Sequence, residues 1–202
     1  VGLLHGDGGE IRVLDADPWH AEPAARGSIG FLPTDPGLPG RMSGGQALDY
    51  FARLDGRPAV LRSAACSALR LSAGDLDRPI RTYSRGMRQK LAVVQAVQHD
   101  PRLLLLDEPT EGLDPLVQDS FFAFLRERRD AGTTVFFSSH VLSEVEALCD
   151  HVAIIRKGRI VDEGLINDLR GRRPKRVTVV VRDEHVPVVI AGATEIARHG
   201  GT

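Results

Sequence analysis

Cysteine is nearly absent from this 202-residue chain: Cys66 and Cys149 are its two thiols, and no Cys-x-x-Cys spacing occurs. That excludes a disulfide framework and a thiolate metal knuckle, and it suits a reducing compartment. Long apolar runs are missing too. Residues 103–106 and 186–193 fall far short of the ~20 residues a membrane-spanning helix needs, and no basic stretch precedes an apolar one at the amino end, so no secretory leader is expected. Nor does one charge prevail, since 26 Lys and Arg face 27 Asp and Glu for a formal net charge of -1. No overall field draws the chain to nucleic acid, and no nucleic-acid partner is expected. A last absence bears on chemistry: Gly-x-x-x-x-Gly-Lys-Ser/Thr occurs nowhere in the chain, so it holds no such cradle of amides and lysine for β- and γ-phosphates. What is present is ordinary globular material, 42% hydrophobic and 26% charged, enough for one packed domain with an appendage.

Alternating apolar patterns and helical periodicities follow one another along the chain. Residues 11–14, bracketed by the Gly6-Asp7-Gly8-Gly9 turn and by 15–18, read as a short strand, and 28–32, ended by Pro33, as a second. Between 34 and 76, apolar residues such as Leu48, Phe51, Leu61 and Leu69 recur at helical spacing with breaks at Gly56 and Pro58, which predicts a helical block. A helix is expected over 85–98, stopped by Asp100-Pro101. Residues 103–106 are four leucines, the pattern of a parallel strand covered on both faces. The segment 115–130 opens with proline and closes at Ala131-Gly132, as helices do. Then 133–138 reads as a strand, 141–148 as a helix, and 152–155 with 159–162 as two strands about the Lys157-Gly158 turn. This alternation predicts an α/β fold with a mostly parallel sheet and helices on both faces. Residues 171–176 read as a basic linker, and 177–202 as the start of a C-terminal extension left unfinished.

Carboxylates supply the strongest chemical signal. The leucine run ends in Asp107 and Glu108, followed by Pro109, so both acids stand at the carboxyl edge of a parallel sheet, where open α/β folds bind ligands. Strand alternation aims the two side chains differently, so one can hold a divalent cation while the other faces a water. Taken alone, such a pair opens a surface turn as often as a site. It has company: Ser84 stands before it, and Asp114 and His140 after it. Ser84 opens the helix over 85–98, where unpaired N–H groups and the helix dipole favour an anion. A plain N-cap serves the same residue equally well.

The order of these segments resembles the nucleotide-binding subunit of ATP-binding cassette (ABC) transporters over residues 1–170. Tyr83-Ser84-Arg85-Gly86-Met87 is similar to that family's signature loop, 103–108 to its Walker B strand, Glu111-Gly112-Leu113-Asp114 to its D-loop, and His140 to its switch histidine. The signature wording, with that of 138–146, resembles the branch that works with separate permease subunits in exporters. The resemblance implies a P-loop NTPase-type sheet with an inserted helical subdomain over about 35–82. It implies ATP and Mg²⁺ as cofactors, Asp107 as the Mg²⁺ ligand, Glu108 as the group that orients and deprotonates the attacking water, and His140 as a contact to the γ-phosphate. Ser84 and Gly86 would meet the γ-phosphate held by the opposite protomer, and Arg85, Asp114 and Thr34 complete the implied nucleotide-binding set. Thr34 stands where the family's glutamine senses Mg²⁺ and permease, and its shorter hydroxyl is expected to work through water. The implied partners are a membrane permease and a second ATP-binding subunit. The implied location is cytoplasmic, peripheral on the inner face of the cell membrane through the permease.

Met42-Ser43-Gly44-Gly45-Gln46 spells the family's usual signature more closely than 83–87 does. It lies within the helical block, whereas Ser84 opens the helix that feeds the Walker B strand, so Ser43 reads as a helix cap. The family's phosphate loop, its helix and the adenine-stacking aromatic are implied ahead of Val1, which makes this chain a truncated form with its amino-terminal strands missing. The strand of that loop is expected beside 103–106, leaving one half of those leucines without cover. Three functions follow. The first is the ATPase subunit of a transporter. A non-transport ABC ATPase of translation or DNA repair is the second, although its usual second cassette or coiled-coil insertion does not occur here. The third is an inactive fragment, or one that only donates its signature to a complete partner.

Overall fold

A computed structural model describes residues 6–20 and 26–171. The elements run β1 Ile29–Leu32, α1 Gly44–Asp55, α2 Arg62–Ala68, α3 Ala73–Asp77, a 3-10 turn Ile80–Thr82, α4 Arg85–Val97 and β2 Leu103–Asp107. They continue with α5 Pro115–Asp130, β3 Thr134–Ser138, α6 Leu142–Leu148, β4 His151–Arg156, β5 Arg159–Leu165 and α7 Ile166–Gly171. The first three strands form a parallel sheet in the order β1-β2-β3. Parallel neighbours require long crossovers; the helical block with α4 supplies one and α5 the other.

Register decides what each face of the sheet carries. Leu32, Leu106 and Phe137 align across the strands, as do Gly30, Leu104 and Val135. On this face Leu32, Leu104 and Leu106 are buried against the helices, with Leu91 and Val94 of α4 and Phe121 and Leu125 of α5 fully enclosed. Each such side chain contributes ~1.5–3 kcal/mol by leaving water. The opposite face aligns Phe31, Leu105 and Phe136, and it is open: Phe31 is 45% and Phe136 69% exposed. Alternate residues of the leucine run therefore differ, Leu104 and Leu106 buried, Leu103 and Leu105 half-buried.

The expected place of a phosphate-loop strand, directly beside 103–106, is corrected by the pairing. Both edges of β2 are hydrogen-bonded, to β1 and to β3, so its backbone groups have no vacancy for another strand. The strand expected over 11–14 is also absent. Val13 only bridges Ala16 around Leu14 and Asp15, whose φ values of 51° and 65° form a tight turn. Alternation makes a strand only where a neighbour takes up its hydrogen bonds, and Ile11 here is exposed.

Ser43 caps α1 in a reciprocal capping box: the Gln46 N–H donates to Ser43 Oγ at 3.2 Å and the Ser43 N–H to Gln46 Oε1 at 2.9 Å. The look-alike signature is a helix start. The 12 residues of α1 end at Gly56, whose φ of 65° lets the chain leave the helix. Gln98, following α4, donates Nε2 to Leu48 O at 3.1 Å and ties the block to the sheet side. β4 and β5 form a separate antiparallel hairpin, β4 one residue longer at each end than expected and β5 starting at 159 as expected but running on to 165. The expected extension from 172 onward lies outside the described residues. Among the described residues no helix is long and apolar enough to cross a membrane.

Candidate functional site

Three strand ends meet at Asp107. It is the last residue of β2, and its register partner is Ser138, the last residue of β3. Ser138 Oγ donates to Asp107 Oδ1 at 2.5 Å, and Thr34, just past β1, donates its hydroxyl to Oδ2. These two bonds, Ser138's the stronger, hold the Asp107 carboxyl below the usual carboxylate range, so it stays ionised. Thr34 thus reaches across from β1 to the Asp107 carboxylate directly.

Glu108 breaks the strand. Its φ of 46° is unusual for a residue with a side chain, and it turns the chain out of the sheet immediately after Asp107. The Glu108 N–H donates to Ser138 Oγ at 3.0 Å, so one serine fixes both acids. The Glu108 carboxylate meets His140 Nδ1 at 2.9 and 3.0 Å. The hydrogen bond to Glu108, and then its charge, raise His140 above the ordinary histidine value of 6.5. A raised folded value means that the pair's support is complete below the ordinary histidine range and is lost as pH rises through the raised value. NMR titration of the imidazole is expected to give a midpoint above 6.5 in the parent and near 6.5 in Glu108→Gln. Equal midpoints in the two proteins would show that the pair does not form in solution.

The signature residues gather at the start of α4. Ser84 is its N-cap, with Oγ accepting from the Met87 N–H at 3.2 Å. Arg85 forms an ion pair with Glu111, and Gly86 lies against Gly112. Asp114 is placed differently: it caps α5, accepting from the Val117 N–H at 3.1 Å, with Pro115 in the first turn. The predicted residues thus fall into Thr34, Asp107, Glu108 and His140 at the strand ends, Ser84 to Gly86 at a helix start, and Asp114 at another.

Two residues escaped the sequence reading. Ser138 is legible only once β2 and β3 are in register. Gln89 is buried on α4 and donates Nε2 to the carbonyls of Glu108 and Pro109 at 3.1 and 3.2 Å; it is the one polar residue among the buried positions of that helix. Among the described residues no group of three or more His, Cys, Asp or Glu could hold a metal ion. A single ionised carboxylate between two hydroxyls suits instead a hard cation that keeps its waters and shares phosphate oxygens, as Mg²⁺ does.

The family model for ABC transporters matches residues 1–111. The chain belongs to the ABC transporter family. It is 35% identical over 171 residues to the ABC transporter ATP-binding protein NatA of Bacillus subtilis, covering 83% of this chain and 70% of NatA. The bacitracin transport ATP-binding protein BcrA of Enterococcus faecalis is 34% identical over 165 residues, 80% of this chain and 53% of BcrA. A solved ATP-binding subunit of an ABC transporter superposes with a TM-score of 0.76 at 26% identity, over 84% of this chain and 72% of that one. The fold is therefore the P-loop type of the ABC ATP-binding domains. The chain spans about half the length of most of the curated relatives it matches.

Proposed function

We propose that residues 1–170 form the ATP-binding and ATP-hydrolysing domain of an ABC transporter, with the helical subdomain over about 35–82 and an extension over 171–202. The observation that carries this reading is the gathering of Asp107, Glu108 and His140 at the strand ends, joined through Ser138 and Thr34. Bound Mg²⁺ would neutralise phosphate charge there, with Asp107 and the two hydroxyls as its protein oxygens. Glu108 accepts the proton of the attacking water. With Nδ1 engaged by Glu108, His140 has Nε2 left to meet a phosphate oxygen. Ser84, Arg85 and Gly86 serve the nucleotide of a second ATP-binding subunit, and Asp114 the same interface.

The partner is a separate membrane permease, which places the chain at the cytoplasmic face of the membrane. An open surface depression between α1 and α2, lined by Asp49, Arg53, Arg57 and Arg62, supports that reading. Tyr50, Leu54 and Val60 are exposed nearby in sequence, so this part of the block offers charge and apolar area together. The names of the relatives BcrA, for bacitracin transport, and DrrA, for daunorubicin/doxorubicin resistance, favour an exporter.

Titration with a fluorescent ATP analogue, paired with phosphate release, tests this reading. The 202-residue chain is expected to bind weakly and not to hydrolyse ATP. The same chain with a phosphate loop and its helix placed ahead of Val1 is expected to bind in the micromolar range and hydrolyse. Absence of turnover in that folded, extended chain overturns the ATPase reading, and micromolar binding by the shorter one overturns the need for the loop.

A further inference from the structure

Three contacts join the first turns of α4 to the turn that follows β2. Gln89, 9% exposed, donates Nε2 to the carbonyls of both Glu108 and Pro109. Arg85 forms its ion pair with Glu111. Gly86 faces Gly112 so closely that a Cβ on Gly86 would stand 2.5 Å from Gly112 O, and Gly112 itself has a φ of 75°. Positions 85 and 89 are one helical turn apart and share a face, and Gly86 is next to the first. The turn is knit internally as well: the Glu111 N–H donates to Glu108 O at 3.2 Å and the Leu113 N–H to Thr110 O at 3.0 Å.

We infer that the start of α4 and the turn 108–112 move as one body, so that the signature segment positions this chain's own Glu108, with Gln89 the principal positioning residue and the Arg85–Glu111 pair the second. The inference rests on the roles proposed above for Ser84 and Glu108. The buried amide of Gln89 is not easily surrendered, because its loss leaves a buried carbonyl short of a partner. The exposed ion pair adds little energy and mainly sets the alignment of the two segments. The glycine contact leaves no slack for α4 to slide over the turn. An anion that draws Ser84 toward it therefore carries Glu108 with it.

Amide hydrogen exchange, followed by NMR on the nucleotide-free 202-residue chain, reads this link without any ATP chemistry. Gln89→Leu keeps the side chain's size and removes its donor. It is expected to speed exchange of the Glu108 and Glu111 amides about tenfold, while the β1–β2 ladder stays within about twofold. Arg85→Glu, at an exposed position, is expected to speed the Glu111 amide about threefold. Combining it with Glu111→Arg is expected to restore the parent rate, a rescue that general destabilisation does not produce. Parent-like exchange at Glu108 and Glu111 in folded Gln89→Leu overturns the inference, as does a charge swap that fails to restore; if Gln89→Leu does not fold, the charge pair decides. Failure of the proposed function shows elsewhere, as missing phosphate release in the extended chain, and leaves these rates unchanged.

Discussion

Glu108→Gln is expected to lower ATP turnover by about 10²–10⁴-fold, the usual contribution of a positioned general base, in the chain extended with a phosphate loop. Nucleotide binding should stay within a few-fold of the parent. The amide preserves the shape of the carboxylate, and the Glu108 backbone, held by Ser138 and Gln89, does not depend on the side chain's charge. What is lost is the ability to accept a proton from water. Bound ATP then persists, and the closed pair of subunits accumulates. Single-turnover phosphate release separates the chemical step from product release, and size-exclusion chromatography with ATP reads the closed pair. Hydrolysis within a few-fold of the parent would move the base elsewhere, with Asp107 excluded by its two hydroxyl donors and lowered pKa.

Gly30→Ala is expected to be the most damaging small substitution in the sheet. A Cβ at Gly30 would lie 2.1 Å from the carbonyl oxygen of Ala96, 2.7 Å from Leu104 Cδ2 and 2.9 Å from Pro101 Cγ. The closest of these is backbone of α4, so relief requires the helix to lift from β1. Overpacking of this kind costs typically ~1–3 kcal/mol and more where backbone must move; about 3 kcal/mol is expected here, against a typical total of ~5–15 kcal/mol. The urea midpoint should fall, or the cooperative transition should disappear, while Gly132→Ala, whose Cβ meets nothing within 4 Å, shows only the smaller strain of its left-handed backbone. A Gly30→Ala midpoint equal to the parent's would mean that α4 sits farther from β1 in solution. The same displacement would shift Gln98, which follows α4 and anchors the helical block through Leu48.

Local chemistry is what the sequence determined by itself. The α5 boundaries follow from the Asp114 cap, Pro115 in the first turn and Gly132 just beyond the end, all interactions within a few residues. Ser43 and Gln46 announced a helix start for the same reason, against their likeness to a signature. The leucine run before Asp107 and Glu108 located the carboxyl edge of a parallel strand, because an apolar run ending in acids has few other uses in an α/β chain. Thr34, Asp107, Glu108 and His140 were recognisable as members of one ordered set. Their geometry was not, since it depends on which strand lies beside which. Only the tertiary structure put β1 and β3 on the two edges of β2, brought Ser138 and Thr34 onto one carboxylate, and aimed Gln89 at the turn behind Glu108. It also withheld a strand from 11–14 and left Phe31 and Phe136 open, because backbone pairing and cover come from neighbours that alternation along one segment does not encode.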